Sequence, residues 1–172
     1  MDGFRNLDLL SVGIAIAGIG ILGFIVFFNN RRSITNKTVL IFSIFAVLWS
    51  IFNYSYQQPN SPDIIFLLLR LHAFFAVWYV FFIFQLFYVF PRENLKFSKE
   101  YKFFLLPFVG FVSILTLTPF VFREITKLSL DGRIAGVANG PGIFLFGAAV
   151  VGLIISGPII LIRRRRIATT TE

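Results

Sequence analysis

The side chains able to do chemistry are few, and their placement narrows what they can do. Arg70 and His72 are the only basic residues inside a long apolar run, and His72 is the only histidine. Metal ligation and acid/base catalysis need several His, Asp or Glu side chains converging in one cavity, and no acidic residue falls within an apolar run to join them. The chain has no cysteine, which excludes disulfides, thiolate nucleophiles and Cys-ligated clusters. Gly18, Gly20 and Gly23 spell G-x-G-x-x-G, but a dinucleotide fingerprint requires a preceding strand and a downstream acidic residue in a soluble βαβ unit. These glycines lie midway along an apolar run and read as helix-packing positions. The residues therefore point to no enzyme activity, no cofactor and no metal.

The elements that must carry these residues follow from composition. With 57% hydrophobic residues, 24 of them Phe, and only 14% charged, the chain is too apolar for a soluble domain, where about a quarter of residues are charged. The net charge of +8 comes in short clusters between apolar runs, a pattern of membrane topology signals rather than a nucleic-acid surface. Five runs, at 9–28, 39–54, 64–90, 103–122 and 143–162, approach or exceed the roughly 20 residues of a membrane-spanning helix. The expected fold is a single all-α integral membrane domain over 1–172, a bundle of five transmembrane helices in the cell membrane. Asp2 and Asp8 flank the single Arg5 ahead of the first run, which is not the basic lead of a signal peptide, so that run is expected to be kept.

The runs carry packing signals. Gly13, Ala17 and Gly20 form one stripe, Ser43, Ala46, Ser50 and Asn53 a second, and Ala148, Gly152 and Ser156 a third; small residues at this spacing let a neighbouring helix approach closely. Taken at 100° per residue from Arg70, the third run places Phe74, Val77, Phe81, Gln85 and Tyr88 on the arginine's face and His72, Tyr79, Ile83 and Phe90 opposite. The arginine face is expected inside the bundle and the histidine face partly in lipid. Pro91 closes this helix, Pro107 and Pro119 sit near the ends of the fourth run, and Gly157-Pro158 marks a kink in the fifth.

Orientation follows from the basic residues. Arg31, Arg32 and Lys37 in the first loop, Arg92, Lys96, Lys99 and Lys102 in the third, and Arg163 to Arg166 after the last run make eleven of the sixteen Lys and Arg. The positive-inside rule then puts the N-terminus outside and the C-terminus inside, with the four arginines anchoring against acidic headgroups. The segment 123–139 reads as an external β-hairpin, with Asp131-Gly132 as a two-residue turn. Its apolar strip of Thr126, Leu128, Leu130, Ala135 and Val137 is expected to lie on the helix ends. Arg70, Tyr54 and Tyr56 arrive beneath it as the candidate ligand-binding residues, forming an aromatic, weakly basic cup for a small apolar or weakly anionic ligand or a lipid headgroup.

The order of features resembles the N-terminal seven-helix membrane region of bacterial histidine kinases. The resemblance rests on the second run with Trp49, the aromatic third run ending Phe87-x-x-Phe90-Pro91, the "LTLTPFVF" stretch from Leu115 and the "NGPGIFLF" stretch from Asn139. It covers Leu9 to Arg166 and implies a sensory role without catalysis, acting through a signalling partner or a homodimer. The resemblance also implies seven helices and a following signalling part with a phospho-accepting histidine, whereas only five runs are present and His72 lies inside one. A truncated or stand-alone sensory module is therefore expected. The alternative is a small transporter or channel subunit or a structural membrane protein.

Overall fold

The computed structural model describes residues 2–90, 95, 97–130 and 132–169, with side chains described between 7 and 163. Pro91, Arg92, Glu93 and Lys96 of the charged loop, Asp131 of the hairpin turn and the side chains of Arg164 to Arg166 lie outside the described residues. Helices α1 (Asp2–Asn29), α2 (Ile34–Tyr56) and α3 (Pro62–Val89) are followed by a π-helical turn, Tyr101–Leu105, that runs into α4 (Leu106–Thr116). Strands β1 (Phe122–Leu128) and β2 (Ile134–Asn139) form an antiparallel pair, and α5 (Ile143–Thr169) closes the chain. Among the described residues, four helices are long and apolar enough to cross a membrane: α1, α2, α3 and α5.

Local chemistry sets the helix ends. The Ser33 hydroxyl accepts the Asn36 N–H to cap α2, and the Asn30 side chain accepts the N–H groups of Arg32 and Ser33 to turn the chain before it. Pro62 opens α3 with Asp63 in its first turn, where a missing donor is harmless and a negative charge is favoured. Phe90, the residue before Pro91, is extended at φ −66° and ψ 139°, as the following proline ring requires.

The helix of the fourth run, Tyr101–Thr116, begins earlier and ends sooner than the span expected at 103–122. Its π and α segments, five and eleven residues long, extend about 24 Å at ~1.5 Å per residue, short of the roughly 30 Å hydrocarbon core. The physical reason is local. Pro119 disfavours helix at Thr118, the Leu117 N–H turns back to Ile114, and the hydroxyls of Thr116 and Thr118 donate to the carbonyls of Ser113 and Leu115. Phe120, Val121 and Phe122 are as apolar as a span but belong to a turn and a strand. At the other end, Pro107 brings no N–H and its ring would strike the Phe103 carbonyl. The π-helical turn accommodates this, with the Leu106 N–H donating to Tyr101 five residues back.

Helix α3 is the centre, packed by α2, α4 and α5, while α1 packs chiefly on α2. Its buried Val77, Val80, Phe81 and Phe84 meet Val109 and Val112 of α4 and Ala149 and Leu153 of α5. The expected division of α3 into an inner and a lipid face is therefore corrected. Val77 and Phe81 are buried as expected, but Tyr79 stacks on Trp49 of α2 at 5.1 Å between ring centroids and His72 packs beside the same indole at 5.6 Å. That face is covered by a helix, because the aromatic surface of α2 is complementary to it.

The small-residue stripes divide similarly. Ser43 and Ala46 are buried as expected, although Ser43 donates to Val39 of its own helix and the bond across to α1 is Asn36 Nδ2 to the Val26 carbonyl at 2.7 Å. Gly13 and Ala17 are exposed. The close approach of α2 is instead at Gly23, where a Cβ would run into the Ser43 side chain. In α5 the expected Ala148 and Gly152 are exposed, and the packing positions are Ala149, Leu153 and Gly157, the last against the Phe87 ring. Spacing identified stripes of small residues, but only the neighbour's position selects which stripe is used.

Candidate functional site

The hairpin end of the bundle is where the sequence-selected residues and the polar side chains gather. Its foundation is the junction between the hairpin and α5. Phe122 pairs with Asn139, the Gly140 N–H donates to Val121 at 2.9 Å, and the Gly142 N–H donates to Phe120 at 2.9 Å. A Cβ at Gly140 would strike the Phe120 backbone and one at Gly142 the Phe120 ring, so the chain closes here only with glycines. The two stretches "LTLTPFVF" and "NGPGIFLF" are thus the two sides of one contact.

Arg70 belongs to this junction. Its Nη2 donates to the Phe122 carbonyl at 2.8 Å and its guanidinium carbon lies 4.2 Å from the Phe66 ring centroid, while Nε is buried without a partner. The arginine fastens α3 to the first residue of β1. His72 sits elsewhere, held between Trp49 and Tyr56 with ring centroids 5.6 and 5.0 Å away. Its Nδ1 is buried without a partner. Tyr56 is therefore committed to His72, and Arg70 to Phe122. The expected cup of Arg70, Tyr54 and Tyr56 is not assembled: residues 54 and 56 on one helix point about 200° apart at 100° per residue, and Tyr56 turns to α3 while Tyr54 turns away.

Tyr54 instead lines a separate polar cleft of about 190 Å³. Helix α1 contributes Asp8, Ser11 and Val12 to it, and the hairpin turn contributes Arg133. The last turn of α2 supplies Asn53 beside Tyr54, with Gln57 and Gln58 just beyond the helix. Ser11 donates to the Asp8 backbone carbonyl at 2.8 Å, and Gln57 Nε2 approaches Asn53 Oδ1 at 3.5 Å.

The hairpin turn differs from the expected two-residue form. Ser129 donates its N–H to Arg133 at 2.8 Å and Gly132 donates to Ser129 at 2.9 Å, so the turn closes between Ser129 and Arg133. Gly132 has φ +77°, a left-handed position of the kind that a hairpin loop closed between Ser129 and Arg133 requires. Register shifts occur at three places along the pair; of the expected apolar strip, Thr126, Leu128, Leu130 and Ala135 are exposed and Val137 is half-buried. The turn leans on the α2–α3 loop, where a Cβ at Gly132 would sit 3.4 Å from Pro59. This brings Arg133 to the cleft.

Asp8, Ser11, Asn53, Gln57 and Gln58 were not candidates from sequence. They come from helix ends far apart in the chain, and the only local signal was their position just beyond or at the edge of an apolar run. A second hollow of about 560 Å³ lies near the opposite end, lined by Phe84, Tyr88, Tyr101, Phe104 and Phe108, with Ser98 and Glu100 at its edge. Glu100 is held below the usual carboxylate range by its own backbone N–H and the Ser98 hydroxyl. Phe84, Phe104, Leu105 and Phe108 make the rest of its lining mainly apolar, beside the two tyrosines. Among the described residues no group of three His, Asp or Glu is placed to hold a metal. Compared with family models, with curated proteins and with solved structures, the chain matches none.

Proposed function

We propose that the chain is a membrane sensory module without catalytic activity, a signal-input unit oriented with its N-terminus outside the cell and its C-terminus inside. The observation that carries this reading is the polar cleft, in which α1, α2 and the hairpin turn each supply part of the lining. An occupant bonded to all three would favour whichever arrangement of α1 against α2 places those groups best, and differential affinity is what lets a ligand shift a conformational balance. Helix α1 suits such a response because α2 is its principal support. Orientation is supported by charge: Arg31, Arg32, Lys37, Lys99, Lys102 and Arg163 lie at the end away from the hairpin, the cytoplasmic side by the positive-inside rule. A transporter would call for polar groups lining a path, whereas the hydroxyls of Ser43, Ser113 and Thr116 return to carbonyls of their own helices.

The cysteine-free sequence makes a direct test simple. Cysteines replacing the exposed Leu7 of α1 and Leu130 of the hairpin take spin labels, and the interlabel distance is measured in lipid nanodiscs against amino acids, small carboxylates, amines and sugars. A change in distance with one class of solute is expected; a distance indifferent to all of them removes the sensory reading. Incubation with labelled ATP should leave the chain unlabelled, and incorporation would contradict the absence of catalysis.

A further inference from the structure

The hollow at the end away from the hairpin takes no part in the sensory reading. Its volume of about 560 Å³ falls within the roughly 300–1,000 Å³ of small-ligand sites. Its lining changes character along its length. Ser98 and Glu100 stand at one edge, and Phe104, Leu105 and Phe108 follow along the helix of the fourth run. Eight residues of helix, from 100 to 108, rise about 12 Å, and Phe84 lies about 6 Å deeper along α3 than Tyr88. An occupant therefore meets polar groups at the end of the bundle and aromatic rings farther into the apolar segments. That profile suits an amphipathic molecule lying parallel to the helices. Phe103, Phe104 and Phe108 are exposed, so in a bilayer the hollow opens sideways to hydrocarbon and is filled from the membrane.

Charge selects among membrane lipids. The Lys102 N–H donates to the Ser98 carbonyl at 3.2 Å, which puts Lys99 and Lys102 on one closed helical turn beside the polar edge. Residues three apart on such a turn have Cβ atoms about 5–6 Å from each other, close enough for two ammonium groups to reach one phosphate. Both lysines are exposed. Over 91–102 the sequence sets Arg92, Lys96, Lys99 and Lys102 against Glu93 and Glu100, a surplus of positive charge. A second copy seated on this face by two-fold symmetry would bring like-charged edges together, whereas a lipid phosphate neutralises them. We propose that the hollow binds an anionic glycerophospholipid, with one acyl chain against Phe84, Phe104 and Phe108 and the phosphate between Lys99 and Lys102. The site is independent of the sensory reading, and only its assignment to the inner leaflet rests on the orientation proposed above.

Native mass spectrometry of the full chain, stripped of lipid in a non-ionic detergent, tests this with phosphatidylglycerol, phosphatidylcholine and diacylglycerol carrying the same acyl chains. Glycerophosphoglycerol serves as the headgroup alone. One phosphatidylglycerol per chain is expected to bind at least fivefold more tightly than either other lipid, without displacement by the headgroup alone. Lys99→Gln and Lys102→Gln should each weaken it about fivefold, which is the ~1 kcal/mol of one basic residue at an anionic surface converted at 1.4 kcal/mol per tenfold. Lys127→Gln, on the hairpin, should leave it unchanged. Phe104→Ala should weaken it severalfold, whereas Phe103→Ala, exposed but outside the lining, should not. Equal affinity for phosphatidylglycerol and phosphatidylcholine, indifference to both lysine substitutions, or equal responses to Phe103→Ala and Phe104→Ala overturns the proposal. A dimer that carries no lipid and dissociates on Phe104→Ala overturns it too, giving the hollow to a second copy. If Phe104→Ala fails to fold, the lysine variants and the comparison of lipids on the unaltered chain decide.

Discussion

The Arg70 guanidinium reaches from α3 to the Phe122 carbonyl and lies over the Phe66 ring, so its charge is used in holding the hairpin rather than in binding a ligand. Hydrogen bonds to charged groups contribute about 1.5–3 kcal/mol and an aromatic face under a cation about 0.5–1 kcal/mol or more. Arg70→Ala is therefore expected to lower unfolding stability in detergent by the larger amount and Phe66→Leu by the smaller, measured by denaturant titration. Equal and negligible effects would remove the fastening role. The glycines at the hairpin–α5 junction give a sharper contrast. Ala at Gly140 meets the Phe120 backbone, which cannot swing aside, so a loss at or above the roughly 1–3 kcal/mol of overpacking is expected. Gly152 has nothing within 4 Å of its would-be Cβ, and Gly152→Ala should stay within about 0.5 kcal/mol of neutral.

At the scale of elements, the contact between α1 and α2 depends on one residue without a side chain. Gly23 lies against Ser43, with Asn36 bonded across to Val26 near one end and the shallow groove containing Ile16 and Val47 farther along. A larger residue at Gly23 must part the helices. Cysteines replacing Ile16 and Val47 are expected to crosslink with a short bifunctional reagent in the otherwise cysteine-free chain, and Gly23→Leu should reduce the yield severalfold. An unchanged yield would mean that α1 is held elsewhere. The π-helical turn depends on its proline in the same local way. Pro107→Ala restores a donor and removes the ring that forbids α-helical geometry, so the turn is expected to tighten and rotate Tyr101 away from Phe97 and Tyr88, now 4.6 and 5.3 Å from it between ring centroids. Altered tyrosine fluorescence polarisation and faster hydrogen exchange at Tyr101 would register the change.

For the whole molecule, the proposed orientation predicts that a reporter active only in the cytoplasm works when fused to the C-terminus and that one active only outside works when inserted at Gly132. Silence of either contradicts it. The alternation of the helices and the gathering of basic residues away from the hairpin were both readable from sequence, because hydropathy and charge are local properties that a bilayer sorts without reference to neighbours. The helical regions at 9–28, 39–54, 64–90 and 143–162 and the strand pair after the fourth run follow from the same local chemistry. The fourth run shows where this stops, since an apolar stretch of adequate length contains a helix too short to match it once Pro119 and the threonine hydroxyls end it. Sequence alone thus determined which segments are apolar and helical, that a hairpin interrupts them, and that Arg70 and His72 are set within a helix. Only the tertiary structure decided that α3 is covered on the face carrying His72, that Gly23 and Gly157 rather than their neighbours meet another helix, that Arg70 and Tyr56 are engaged within the protein, and that Asp8, Tyr54 and Arg133 share a cleft. The physical reason is that a side chain's partners depend on the rotation and offset of elements distant in the chain, and periodicity along one helix cannot fix which of its stripes a neighbour will occupy.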